Sequence, residues 1–378
     1  MSGKGIHEIK VFYDHEILIS QKYGGVSRYF FEIITEMRRS IPDVKPVIKA
    51  AISCNYYFRN EIKMRDKLPK HGNGFRNSLS AVIEIIKAKM SGHPYDIIHP
   101  TFFFPDYLYR FPGLKGKAKV VITVHDFVYE RLYPEYRHEI EEKSRAMHFA
   151  DGLICVSEKT RQDMFEFYPE LRNKPSTVIY HGFTVNSECG NSDYPFPDKY
   201  ILYVGGREGY KNFDTALKGF AGFKSAYQLE NVIMLAVGGG PFSDTEKKQI
   251  GDLGLSDSVI QDDLSDRDLS EAYKKAVCFI YPSLYEGFGI PILEAFSAGC
   301  PVVLSRCSCF PEIAGGGALY FEGNDFNELS EVIYRIFNFS EEERKKIIED
   351  GYRRLEMFSW SKAAKETVSF YKELLECK

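Results

Sequence analysis

Residues 278–295 read CFIYPSLYEGFGIPILEA. The apolar run Cys278–Tyr281 has the length and composition of a buried strand. Pro282 follows it, Gly287 and Gly289 keep the next turn free of side chains, and Pro291 suits the first turn of a helix expected to reach about Ala298. Backbone amides in such a turn, together with the helix N-terminus, favour an anion such as phosphate. Glu286 precedes the helix and Glu294 falls within its first turns. A carboxylate offers two acceptors to neighbouring hydroxyls. Two acids held apart by phosphate-binding backbone therefore fit a ligand with hydroxyls at both ends and phosphate between, as in a nucleoside diphosphate sugar. The plainer alternative is that Glu294 caps amides or pairs with a cation, but this leaves the clustering of glycine, proline and acid unexplained.

The rest of the chain alternates short apolar runs with longer amphipathic ones. Strands are expected at Ile9–Tyr13, Val47–Ile52, Ile97–His99, Val120–Val124, Gly152–Val156 and Thr177–Tyr180, and again at Ile201–Val204, Val232–Val237, Val259–Gln261, Val302–Leu304 and Ala318–Phe321. Helical stretches such as Ser27–Arg39 and Ile140–Ala150 separate them. This alternation means βα units and parallel sheets, with right-handed crossovers placing ligands at the strand C-termini. The polar segment Asn186–Lys199, with Gly190, Pro195 and Pro197, reads as a linker and hinge. The expected partition is residues 1–190, 191–360 and a C-terminal helix, 361–378, packing back toward the first domain. Two such domains leave a cleft, a common place for ligands.

Other glycine corners have the same design. Tyr23-Gly24-Gly25-Val26-Ser27 lies before a helix that Ser27 can cap, and Gly24 and Gly25 let backbone approach an anion. Gly205-Gly206-Arg207 follows a strand, with Lys211 and Asn212 close behind; Arg207 and Lys211 suit a diphosphate leaving group, or else surface ion pairs. Gly238-Gly239-Gly240 gives room for a nucleobase or merely turns the chain. Asp266-Arg267-Asp268 formally spells D-x-D, but is expected to cap a helix starting near Leu269.

Length and composition agree with two globular domains: 378 residues, 44% hydrophobic, 27% charged, with many Phe and Tyr for bulky cores. No run approaches the ~20 apolar residues of a membrane span, and the polar start at Met1–Lys10 is unlike a signal peptide. The eight cysteines are scattered; Cys155, Cys278 and Cys300 lie in apolar runs as buried thiols, and Cys307 and Cys309 form only an isolated C-x-C. A reducing, cytoplasmic setting is expected. Charge is uneven: residues 1–190 carry 28 basic against 23 acidic side chains, the remainder 21 against 30. The basic run from Arg59 to Lys89 reads as a solvated helical face, or as a surface for anionic lipid headgroups or a diphosphate-bearing acceptor. Nothing points to nucleic acid.

With Ala298-Gly299-Cys300-Pro301-Val302 and Pro311-Glu312 behind it, the opening segment resembles the family 4 retaining glycosyltransferases, whose E-x7-E motif is matched by Glu286 and Glu294. The similarity runs from Gly24-Gly25 to the C-terminal helix and is most specific at EGFGIPILE. The resemblance implies an α/β fold of GT-B type, two doubly wound Rossmann-like domains with parallel sheets facing a central cleft. It implies that Glu294 holds the ribose hydroxyls and that Glu286 contacts the donor sugar with amides of Gly287, Phe288 and Gly289. Gly24 and Gly25 would face the diphosphate, Arg207 and Lys211 would be the family's cationic pair, and His125 the histidine near the donor sugar. Where relatives often carry a basic residue before the lysine, this chain has Tyr210.

The implied reaction moves a hexose with retention from GDP-mannose or a UDP-hexose to a glycan or polyprenyl-diphosphate-linked acceptor, in surface polysaccharide biosynthesis. It needs neither cofactor nor metal. The protein would be cytoplasmic, with a peripheral place at the inner membrane face. Two other classes share the architecture: a sugar-nucleotide 2-epimerase, and a partner subunit that binds without turnover.

Overall fold

A computed structural model describes residues 8–50, 52–62, 73–92, 94–103, 106–110, 112–183, 192–229 and 231–376. The chain divides into two compact units, Met1–Gly182 with Trp360–Lys378, and Phe183–Ser359. The first six residues of the expected linker, 186–191, lie outside the described residues.

In the first unit the strands are β1 (Ile9–Tyr13), β2 (Val44–Ile48), β3 (Ile97–His99), β4 (Lys119–Val124), β5 (Gly152–Cys155) and β6 (Ser176–Val178), all parallel, in the order β2-β1-β3-β4-β5-β6. β2 starts earlier than its apolar residues suggest, because it takes in Pro46. As the edge strand it has no ladder on its outer side, so the missing N–H is tolerated. β1, β3, β4 and β5 are almost wholly buried, which only a sheet covered on both faces permits. Helix Gly25–Ser40 buries Tyr29, Phe30, Ile33, Ile34 and Met37, an i, i+3, i+4 stripe. Helix Trp360–Glu376 packs in the same core through Ala363, Ala364, Val368, Phe370, Tyr371 and Leu374.

The second unit holds β7 (Tyr200–Val204), β8 (Ile233–Val237), β9 (Val259–Asp262), β10 (Cys278–Tyr281), β11 (Val302–Ser305) and β12 (Ala318–Phe321), parallel and ordered β12-β11-β10-β7-β8-β9. The order reverses between β7 and β10. In open parallel sheets ligands bind outside the strand C-termini at such a reversal. In the first unit the reversal falls between β1 and β3.

The helix at Asp266 starts earlier than the sequence suggested. It spans Asp266–Lys275, and its cap is Ser265, whose hydroxyl oxygen accepts from the Asp268 amide. Asp266 and Asp268 therefore sit in the first turn, where their charge complements the helix dipole. Among the described cysteines, Cys155, Cys278, Cys300 and Cys309 are buried free thiols. Burial pushes Cys155 and Cys278 up to about 12, which keeps them protonated.

Candidate functional site

At the β7/β10 reversal two loops are stitched together. The Leu284 amide donates to the Tyr210 carbonyl at 2.7 Å. The Asn212 side chain donates to the Pro282 and Gly323 carbonyls at 3.1 and 2.7 Å. Asn212 has φ +57, a left-handed conformation that asparagine tolerates better than most residues. These bonds set Lys211 opposite Glu286, Nζ to Oε1 at 2.6 Å. Tyr281, the last residue of β10, donates its hydroxyl to the same oxygen at 2.8 Å. Burial and then the Glu286 charge push the Tyr281 phenol well up, so it remains a donor. Burial opposes the Lys211 ammonium, but the Glu286 carboxylate and the Tyr210 hydroxyl together more than offset this and hold Lys211 above its usual value. Its ammonium also lies 4.9 Å from the ring centre of Tyr210 and 5.7 Å from that of Tyr281.

The loop after β11 backs the Glu286 loop. Ser308, at φ +50, and Cys309 both donate to the Glu286 carbonyl, at 2.5 and 3.2 Å, and Cys309 also reaches the Phe288 carbonyl at 3.2 Å. Cys307 donates to the Ser283 carbonyl at 3.0 Å. The C-x-C pair thus braces the loop. Phe288 turns its ring inward against Phe358, leaving Gly287 and Gly289 as bare backbone before helix Ile290–Ser297. Gly289 takes φ +92, which opens the helix without a side chain. Glu294 is the fifth residue of that helix and accepts from the Tyr273 hydroxyl at 3.4 Å.

Arg207 and Lys211 have separate anionic partners. Arg207 pairs with Glu246 at 2.6 Å and donates to the carbonyls of Gly238 and Gly240 at 2.5 and 2.8 Å. Gly238, Gly239 and Gly240 all have positive φ, and a Cβ on Gly239 would stand 2.7 Å from Arg207 Nη1. Arg207 is the internal clamp of this loop.

In the first unit, Gly24 caps and Gly25 opens helix Gly25–Ser40. Ser27 donates its hydroxyl to the Gly24 carbonyl at 3.0 Å, so it locks the corner from inside the first turn. His125 follows β4. Its ring packs edge-on against Tyr29 and Phe30, with centroids 5.3 and 6.0 Å away, and its Nε2 is buried with no hydrogen-bond partner among the described residues. Burial lowers His125 to about 4, so the ring is neutral. Beneath it runs a polar chain that sequence reasoning missed. Tyr13 and Tyr371 share a hydrogen bond of 2.9 Å, Tyr371 meets His99 Nδ1 at 2.6 Å, and His99 Nε2 meets Thr123 at 2.9 Å. At the β1/β3 reversal, Asp14 accepts from the Thr101 amide and hydroxyl, both at 2.8 Å, and from Tyr107 at 3.2 Å. From the basic run, Lys63, Arg65, Lys67 and Lys70 lie outside the described residues. No helix among the described residues is long and apolar enough to cross a membrane.

The family described as Glycosyltransferase Family 4 matches residues 23–186, and that described as Glycosyl transferases group 1 matches residues 192–354. An Escherichia coli O-antigen chain mannosyltransferase B is 27% identical over 380 residues, covering 93% of this chain and 96% of its own. Sucrose-phosphate synthase from Thermosynechococcus elongatus superposes with a TM-score of 0.75 at 17% identity, over 98% of this chain and all of that one. Anabaena HepE, solved in complex with UDP and glucose, gives a TM-score of 0.71 at 17% identity, over 97% of this chain and all of that one. The fold is of the GT-B class, and the chain belongs to the family 4 glycosyltransferases.

Proposed function

We propose that this glycosyltransferase builds a surface polysaccharide by moving a hexose, with retention, from a nucleoside diphosphate sugar to a glycan or polyprenyl-diphosphate-linked acceptor. The observation that carries this is the Lys211–Glu286–Tyr281 cluster at the β7/β10 reversal, beside the bare backbone of Gly287 and Gly289. A carboxylate for sugar hydroxyls, a cation and a helix N-terminus there supply what a sugar and its diphosphate require. Likeness to an O-antigen chain mannosyltransferase inclines our reading to a mannose donor, which we take as GDP-mannose, and the UDP complex of HepE keeps UDP-hexoses in view.

On this reading Glu294 holds the ribose and Glu286 the donor sugar, with amides of Gly287, Phe288 and Gly289. Arg207 and Lys211 supply positive charge, and the first unit contributes Gly24, Gly25 and His125. The acceptor hydroxyl attacks the anomeric carbon from the leaving-group side. The bond from that carbon to the phosphate oxygen breaks, and the departing phosphate takes the hydroxyl proton. Preset amides and cations lower the barrier without a side-chain nucleophile. His125, being neutral, positions the sugar by hydrogen bonding. The reaction needs no metal, and the protein works in the cytoplasm or at the inner face of the membrane.

The test is incubation with GDP-mannose or UDP-glucose and an oligosaccharide acceptor, with the product anomer assigned by NMR, in buffer with and without EDTA. Transfer with retention that EDTA leaves unchanged is expected. Inversion, dependence on added metal, or epimerised donor without acceptor would refute the corresponding part.

A further inference from the structure

Helix Gly25–Ser40 and the turn that follows residue 55 enclose a surface cavity of about 440 Å³, within the range of small-ligand sites. Its aromatic side is Phe31 and Tyr57, stacked with centroids 5.8 Å apart. Thr35, Asn60 and Glu61 supply polar groups around it, and Arg38 and Arg39 complete the lining. We propose that this cavity is a subsite for neutral sugar residues of the acceptor chain, remote from the hydroxyl that reacts. The proposal rests on the glycan-acceptor reading above.

Three observations support this. First, the charges cancel locally: Arg38 Nη1 donates to both carboxylate oxygens of Glu61 at 2.9 and 2.8 Å, and Arg39 pairs with Glu36 at 2.6 Å. Each arginine thus has a carboxylate beside it, and the near-zero local charge suits hydroxyl-rich neutral ligands better than a phosphate. Aromatic faces beside hydrogen-bonding side chains complement a sugar, whose ring has apolar C–H faces and a polar edge.

Second, the site is rigidly built. The Tyr56 amide donates to the Lys22 carbonyl at 3.0 Å, Asn55 Nδ2 donates to the Gln21 carbonyl at 2.8 Å, and the Glu61 and Ile62 amides both return to the Phe58 carbonyl at 3.0 Å. Phe58 and Ile62 are buried in the core of the unit, so the wall is anchored from below. A rigid wall lowers the ordering cost of binding.

Third, ring contacts run from the cavity wall toward the corner assigned to the donor. An aromatic row leads from it, Phe31 to Tyr57, then Tyr23 at 6.4 Å and Tyr56 at 5.1 Å, and Tyr23 directly precedes Gly24. Tyr23 is 56% exposed and packs beside Tyr56, so this row of rings opens to the surface. Phe31 and Arg38 stand about 9 and 20 Å from Gly25 along the helix. An extended glycan whose terminal hydroxyl reacts near Gly24 and Gly25 would lay its earlier residues here.

The experiment compares acceptors of different length, methyl α-mannoside and a mannotetraose, with wild type, Asn60→Ala, Tyr57→Ala and Tyr57→Phe. The tetraose should have the lower KM in wild type, and Asn60→Ala and Tyr57→Ala should raise it about tenfold. KM for methyl mannoside and for the donor should stay unchanged, and Tyr57→Phe, which keeps the ring, should behave as wild type. Asn60 is exposed, so its variant tests the subsite even if Tyr57→Ala fails to fold. Equal KM for short and long acceptors, or equal losses on both, would overturn the subsite while leaving transfer intact. So would sedimentation with phosphatidylglycerol vesicles that is lost in Arg38→Ala. Absence of transfer to either acceptor in wild type would instead refute the proposed function.

Discussion

Acidification should destabilise the first unit well before its carboxylates titrate. His99 is buried within a hydrogen-bonded chain and His125 against Tyr29 and Phe30; burial lowers them to about 3 and about 4. In the unfolded chain each returns to about 6.5. A group with a depressed cationic pKa leaves stability intact above the unfolded value and removes it as pH falls through that value. At pH 5 the unfolded chain has gained a proton at each ring while the native rings are still neutral, so their mutual repulsion does not enter. The ratio of binding polynomials is then about 30 per ring, or about 2 kcal/mol each and about 4 kcal/mol together, against nearly nothing at pH 7. That is a large part of a typical domain's stability. His15 and His181, also lowered by burial, act in the same direction.

The chain's one tryptophan makes this measurable. Trp360 stacks on His181 at 5.9 Å, so its fluorescence reports on this unit. Urea titrations at pH 7 and pH 5 should show the Trp360 transition weakened by several kcal/mol, and a His99→Gln, His125→Gln variant should lose about 4 kcal/mol of that dependence. An unchanged transition between the two pH values would refute the neutral buried rings. An unchanged dependence in the double variant would place its origin in other groups.

Glu286→Gln and Lys211→Met should each lower kcat by about two to three orders of magnitude, measured by donor turnover with acceptor present. Gly239→Ala places a Cβ at φ +74 against Arg207, and should cost the second unit about 1–3 kcal/mol by urea denaturation while raising donor KM. Ser308→Ala removes a brace from the Glu286 loop; it should lower kcat severalfold with little change in melting temperature.

The strand pattern was legible because buried parallel strands are continuous apolar runs, and the twelve strands lie on or beside the runs read as strands. Element starts were harder to read. Pro46 masked the start of β2, since edge position is not visible in a linear pattern. The Glu286 loop could be read because its glycines, prolines and acids are adjacent in sequence. Its support could not. Tyr281 reads as strand core, and only the fold turns its hydroxyl onto Glu286. The Cys309 brace and the Asp14–Thr101 bonds join residues 23 and 87 positions apart, so nothing local announces them. Arg207 and Lys211 looked like a pair because they are close in sequence. The loop after β7 sends one to the Gly238–Gly240 carbonyls and the other to Glu286.

On the proposed reading, that separation gives the two cations different work. The Arg207 side chain is only 3% exposed, and a carboxylate and several carbonyls already fix its guanidinium. Moving it toward a ligand would strand Glu246 and release three glycines held at positive φ. Its charge therefore acts from a fixed place, through the loop it shapes. The Lys211 side chain is 22% exposed, and its ammonium is a compact charge on a flexible stem, held by Glu286 and two aromatic faces. If Glu286 holds the donor sugar as proposed, its turn to a sugar hydroxyl would free that ammonium where a leaving phosphate gathers charge. An interaction stronger in the transition state than in the ground state accelerates the reaction, whereas one equally strong in both does not. On the proposed reading Lys211 supplies the first kind, because its ground-state partner is also the residue assigned to the sugar, while Arg207, held by Glu246 and the Gly238 and Gly240 carbonyls, contributes a preset charge and the shape of its loop.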